Sequence, residues 1–139
     1  MMDRRSDAAA EEWLRSWSAS VEQRAAEAHA MSQQVAALLV SSSGGNGSVE
    51  VTVASSGVPT GLWLDDRVRN WPAERIAAEI MVTMRRAQAR LAEAVAEVAA
   101  QTVGADTETG RAVVASYATR FPEPQDDAAE DRERGRGGW

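Results

Sequence analysis

The chain has 139 residues, no Cys, no Lys and one His, His29. Without Cys there is no disulfide scaffold, no thiolate zinc site and no cysteine nucleophile. Without Lys there is no lysine Schiff base and no lysine-dependent phosphate loop. A single His excludes a His-rich metal site within one chain and any mechanism that uses two. Aromatic residues make up only 5%, and no apolar run approaches the roughly 20 residues of a membrane span. No apolar segment follows Arg4-Arg5, so neither a secretory nor a twin-arginine signal is supported, and the expected compartment is the cytoplasm. Basic residues are outnumbered, 15 against 21 acidic, for a formal net charge of -6. That is not the balance of a uniformly basic nucleic-acid binder. Every basic residue is Arg. In an Ala-rich chain this is what a GC-rich coding sequence tends to produce, so Arg abundance alone carries no argument. The length fits one domain, or one domain with tails.

What is present has a clear order. From about Asp7 to Val40 the chain reads as one long helix. Leu14, Trp17, Val21, Ala28, Met31, Val35 and Leu38 follow alternating steps of three and four, with Arg24 interrupting. This is an a/d heptad pattern. So narrow a stripe cannot cover a globular core alone; it wants a partner helix from this chain or another copy. Ser41 to Ser48 reads as a linker or hairpin loop, whose first residues, with Leu39 and Val40, could form a short edge strand. Val49, Val51 and Val53 alternate with Glu50, Thr52 and Ala54, the period of a half-buried strand. Ser55-Ser56-Gly57 is a turn, with Gly57 suited to positive φ. Val58 to Leu64 is the return strand, with Leu62 and Leu64 pointing one way and Trp63 the other, and Pro59 near its start suits an edge.

A second helix is expected from Pro72 or Ala73 to about Val103, striped by Ile76, Ile80, Met84, Ala87, Leu91, Ala94 or Val95, and Val98, and stopped by Gly104. A short third helix spans Glu108 to Arg120, with Val113, Val114, Tyr117 and Phe121 as its apolar residues. The fold class is therefore α+β: long helix, small antiparallel sheet of two to three strands, long helix, and a short extra C-terminal helix. The expected division is 1–104 (core about 26–104), an appended helix at 105–122 and a disordered charged tail at 123–139. So few strands expose too little apolar area to stabilise the chain alone, and two heptad-like seams point to a homodimer with a composite core. Leu14, Trp17, Val21, Met31, Val35 and Leu38 on the first helix, with Ile80, Met84, Leu91 and Val98 on the second, are the expected dimer or partner interface.

That order, with Gly-Ser-Val-Glu-Val-Thr-Val at Gly47 to Val53, the turn at Ser56-Gly57, Gly-Leu-Trp-Leu-Asp at Gly61 to Asp65 and Met-Arg-Arg-Ala-Gln-Ala at Met84 to Ala89, resembles the YbaB/EbfC family of bacterial nucleoid-associated proteins. The resemblance covers roughly Ala26 to Gly104. It implies an intertwined dimer whose three-stranded sheet carries two long helices, DNA binding, and a place in the nucleoid. The longer first helix, the segment Gly110 to Phe121 and the charged tail look like actinobacterial-type variants, some of which are associated with type VII secretion instead.

The DNA expectation rests on Arg67, Arg69, Arg75, Arg85, Arg86 and Arg90. Arg75, Arg86 and Arg90 share roughly one helix face, because eleven residues make three turns and four make about one. Fixed positive charge suits phosphate contact; equally, Glu79 and Glu93 are interleaved and could turn these arginines into a solvated, paired face. Asp65 to Gly104 holds six Arg and six acidic residues, whereas Glu123 to Trp139 holds three Arg and six acidic residues, a net of -3. Half of the excess acidity thus sits in the tail, and a neutral segment with local Arg clusters fits weak, salt-dependent binding of duplex DNA.

The other constellations carry less. Trp13 and Trp17 suit either a partner-binding hot spot or a dimer seam. Trp63 suits base stacking or, more simply, packing against a helix. His29 reads as a helix-surface residue. Glu11-Glu12, Asp65-Asp66 and Asp126-Asp127 combine with no His or second acid, Asp106 to Glu108 lacks the rest of a calcium loop, and the glycines of Ser41 to Ser48 have no phosphate-loop context. No enzyme, metal or cofactor is expected. The leading expectation is a homodimeric, low-specificity DNA binder acting through Arg–phosphate contacts, since no recognition-helix motif is present. The alternative is a protein-interaction or chaperone-like scaffold, engaging a partner through the N-terminal helix or residues 110–121.

Overall fold

The computed structural model describes residues 4–124, in the order α1 (Arg4–Ala36), β1 (Leu39–Gly44), β2 (Val49–Ala54), β3 (Pro59–Leu64), a 3-10 turn (Asp66–Asn70), α2 (Ala73–Gln101) and α3 (Glu108–Arg120). The expected charged tail lies, from residue 125 on, outside the described residues. The α+β class with a three-stranded antiparallel sheet is the observed one, in strand order β1-β2-β3.

The first strand is where the sequence reading needs correcting. The first helix stops at Ala36, four residues short of the expected Val40, and of the two readings of the segment after it, the edge strand rather than the linker is the observed one, over Leu39–Gly44. Leu39 to Gly44 pair in register with Ala54 to Val49. The residue types concealed this because serine and glycine have low strand preference. Here they are needed for their size: Ser42 and Gly44 are buried beneath α2, and a Cβ on Gly44 would run into the Thr83 side chain. The loop shrinks to a tight turn in which Gly45, Asn46 and Gly47 take positive φ of 58°, 56° and 82°, a conformation that suits glycine and asparagine.

The central strand builds the core. Val49, Val51 and Val53 are essentially inaccessible and pack against Ala87, Leu91 and Val95 of α2. These three helical positions recur every four residues and so form one stripe. Helix α2 lies along β1 and β2. It leaves β3 exposed from end to end. Leu62 and Leu64 pair with Val51 and Val49 and share their face, yet the helix does not cover them. Trp63 pairs with Glu50 on the outer face and is 53% exposed, so the helix packing expected for it is not found among the described residues.

Two local devices finish the protomer. The 3-10 turn, which periodicity did not reveal, starts where the Asp65 carboxylate accepts a hydrogen bond from the Arg67 N–H, and it plugs the sheet end with buried Val68. Helix α3, capped by the Thr107 hydroxyl, folds back onto α2. There the Tyr117 hydroxyl donates to the Ser55 carbonyl at 2.8 Å, and Gln88 Nε2 donates to the Gly57 carbonyl at 2.9 Å. Together they clamp the β2–β3 turn. Gly57, at φ 85°, lies directly under the Phe121 ring and admits no side chain.

Candidate nucleic-acid interface

Helix α2 has two different flanks on either side of its buried stripe. One flank meets β1 and is basic. Arg90 Nη1 donates to the Ser41 carbonyl at 3.0 Å, and Arg86 and Arg90 line an open depression with Ser42, Ser43, Ala89 and Glu93. They stand one residue before buried Ala87 and Leu91, about 100° round the helix, which keeps both side chains exposed. The other flank meets β3 and is apolar, with Ile80 and Met84 forming a groove with Val51, Pro59 and Leu62.

The six expected arginines divide accordingly. Arg86 and Arg90 come together on the β1 flank. Arg85, also exposed, stands one helical step away. The Arg75 guanidinium sits over the Trp71 ring, 3.8 Å from its centroid, and Trp71 in turn packs on the core. Arg67 and Arg69 pair with Asp65 at 3.2 Å and Asp66 at 3.5 Å. The Arg67 backbone N–H, and then its guanidinium, hold the Asp65 carboxyl below its usual range. The acids that pair with these arginines are thus the neighbouring aspartates. Glu93 shares the Arg86–Arg90 depression and the Glu79 carboxylate reaches Gly44, but neither makes an ion pair among the described residues. Sequence reasoning overlooked the serines of β1, whose carbonyl edge positions Arg90; only the strand pairing reveals them.

The expected interface residues also separate. Met31, Leu91 and Val98 are buried within the protomer, Leu91 at 0% exposure, so its surface is already spent on the chain's own sheet. Val35, Leu38, Ile80 and Met84 are half-buried against the core. Leu14, Trp17 and Val21 are exposed. Among the described residues no cluster of His, Asp and Glu could hold a metal ion, and no helix is long and apolar enough to cross a membrane.

A family model described as the YbaB/EbfC DNA-binding family matches residues 13–106, from α1 to just before α3. No curated protein matches the chain.

Proposed function

Since the chain belongs to the YbaB/EbfC DNA-binding family, we propose that it is a non-enzymatic, nucleoid-associated protein that binds duplex DNA as a homodimer with little sequence preference. The family match carries this reading, and the basic flank of α2 supports it. Arg86 and Arg90 offer exposed guanidinium groups, Arg90 held by the Ser41 carbonyl of β1. Such groups neutralise phosphates and release counterions, which makes affinity fall steeply with salt. Phosphate contact positions a protein without reading bases, and no helix here carries a groove-reading motif. A second copy seated on the apolar groove between β3 and α2 would bury Leu62, Ile80 and Met84 and present two Arg pairs at fixed spacing. Arg75, Arg85, Arg67 and Arg69 add to the same field.

The test is fluorescence anisotropy of labelled duplex DNA across a salt series. Binding at low salt that weakens linearly in log–log form is expected; no binding at low salt rejects the reading. A second reading, a protein-interaction scaffold of the kind associated with type VII secretion, is favoured by the exposed Trp13 and Trp17, stacked at 6.5 Å. A stoichiometric protein partner retained after nuclease treatment, with no DNA, would select it.

A further inference from the structure

We propose that the N-terminal half of α1 is a self-association surface, in which residues 7–24 pair antiparallel with the same residues of a second copy. This surface is separate from the β3–α2 groove and from the arginines of α2.

Helix α1 touches the rest of the protomer near its C-terminal end, where Met31 packs on Val98 and Ala99. Residues 4–26 are all exposed. An overhang of some twenty helical residues is roughly 30 Å long and gains no tertiary support. Yet its stripe is apolar: Leu14, Trp17 and Val21 are 53%, 57% and 43% exposed, and Trp13 lies against Trp17 with the rings 14° from parallel. The stripe continues without a break of phase from the packed half, so the same side of the helix that meets α2 at Met31 is bare further out.

The order of residues on that stripe says what covers it. Reading outward in heptad steps, the seam positions are Asp7, Ala10, Leu14, Trp17, Val21 and Arg24. A two-fold axis between residues 15 and 16 places Leu14 opposite the partner's Trp17, Ala10 opposite the partner's Val21 and Asp7 opposite the partner's Arg24. Each layer then matches small to large, and the ends carry opposite charges. A parallel pairing would instead oppose Asp7 to Asp7 and Arg24 to Arg24, with two Trp17 rings face to face. The flanking positions Ser18, Ser20 and Ala25 are small and admit close approach. Arg24 is available to a partner: it lines a cleft with Glu27 and Glu108 but forms no ion pair among the described residues. The other charges on this half face elsewhere or one another, as Arg15 and Glu11 do at 3.8 Å.

The absence of native Cys makes a cross-linking test clean. Full-length Ala10→Cys and Val21→Cys proteins, distinguishable by mass, are mixed and oxidised. Antiparallel pairing brings the two thiols together across one layer, while two Ala10→Cys chains keep theirs about 16 Å apart along the axis, beyond disulfide reach. A mixed disulfide, with little from Ala10→Cys alone, is the expected result. Efficient cross-linking of Ala10→Cys with itself, or no cross-link in any mixture, overturns the proposal, the second outcome leaving the tryptophans to a different protein. Asp7→Arg and Arg24→Asp should each weaken self-association several-fold by sedimentation, and mixing the two should restore it. All four positions are exposed, and circular dichroism checks that the fold persists. DNA binding measured on the same samples separates failure of this pairing from failure of the DNA reading.

Discussion

At the scale of single residues, small size and local hydrogen bonds matter more than charge. Gly44 lets α2 approach β1 closely enough for Arg90 to reach the Ser41 carbonyl. Gly44→Ala should therefore destabilise the protomer by about 1–3 kcal/mol, the usual range for forcing a methyl group into a packed contact. Adding Thr83→Ala should recover part of the loss, a coupling that thermal unfolding of the single and double variants measures. Asp65 gives a pH signature. Its folded-state pKa lies below the ordinary value of 3.8, chiefly through the Arg67 N–H. Its stabilising contribution is present above that ordinary value and is lost as pH falls through the depressed one. Asp65→Asn should thus flatten the acid limb of the melting temperature below about pH 4 while leaving the neutral region little altered in its pH dependence. Asp65 as the cap of a 3-10 turn was not legible, because its hydrogen bond to the Arg67 N–H exists only once the strand has ended there. Nor was Gly44, because a glycine needed for helix approach looks in sequence like a glycine needed for a loop.

At the scale of elements, periodicity was readable wherever one face was buried and misleading where the burying surface was incomplete. The valines of β2 alternate and are buried as their pattern implies. The stripe of α2 and the extent of α3 were likewise legible. Strand β3 has the same strand-like residues, yet all six are exposed, because α2 spans only two strands. Leu62→Glu tests what lies on that uncovered face. Leu62 is already solvent-exposed in the protomer, so the substitution should leave the protomer's circular dichroism close to unchanged while halving the mass seen by light scattering and lowering the melting temperature through lost association, if the groove is the dimer seat. An unchanged mass would move the dimer contact to another element. Helix α1 shows the converse: one continuous heptad stripe whose two halves meet different surroundings, its inner half packed and its outer half bare.

At the scale of the whole molecule, net charge is a poor guide to partners. The value of -6 combines a neutral stretch from Asp65 to Gly104 with a net of -3 from residues 1–64 and another -3 from Glu123 to Trp139. Phosphate responds to the local field, which decays over about a Debye length of ~10 Å at 0.1 M salt. Two predictions follow from that range. Arg86→Ala with Arg90→Ala should weaken DNA binding on all sequences alike and lower the salt slope by roughly one unit per lost phosphate contact. A slope that stays the same would clear these two arginines of contact without disturbing the broader reading. Deleting residues 123–139 removes a net charge of -3 and should tighten binding at fixed salt, since acidic side chains compete with phosphate for the same arginines; unchanged affinity would show that they do not.

By itself the sequence determined the α+β order, the helical and strand periods, the chemistry excluded by the missing Cys and Lys, and the family. All of these depend on residue types and their spacing along the chain, which folding does not alter. Tertiary structure alone decided between linker and third strand for the serine-rich run, that Leu91 serves the chain's own core, and that Arg86 and Arg90 stand together at the β1 edge while Arg67 and Arg69 are matched by Asp65 and Asp66. The physical reason is that burial and pairing depend on where α2 lies across the sheet. A helix about one strand-spacing over would cover β3 instead of β1 and leave Ser42 and Gly44 bare, with no change in any local pattern.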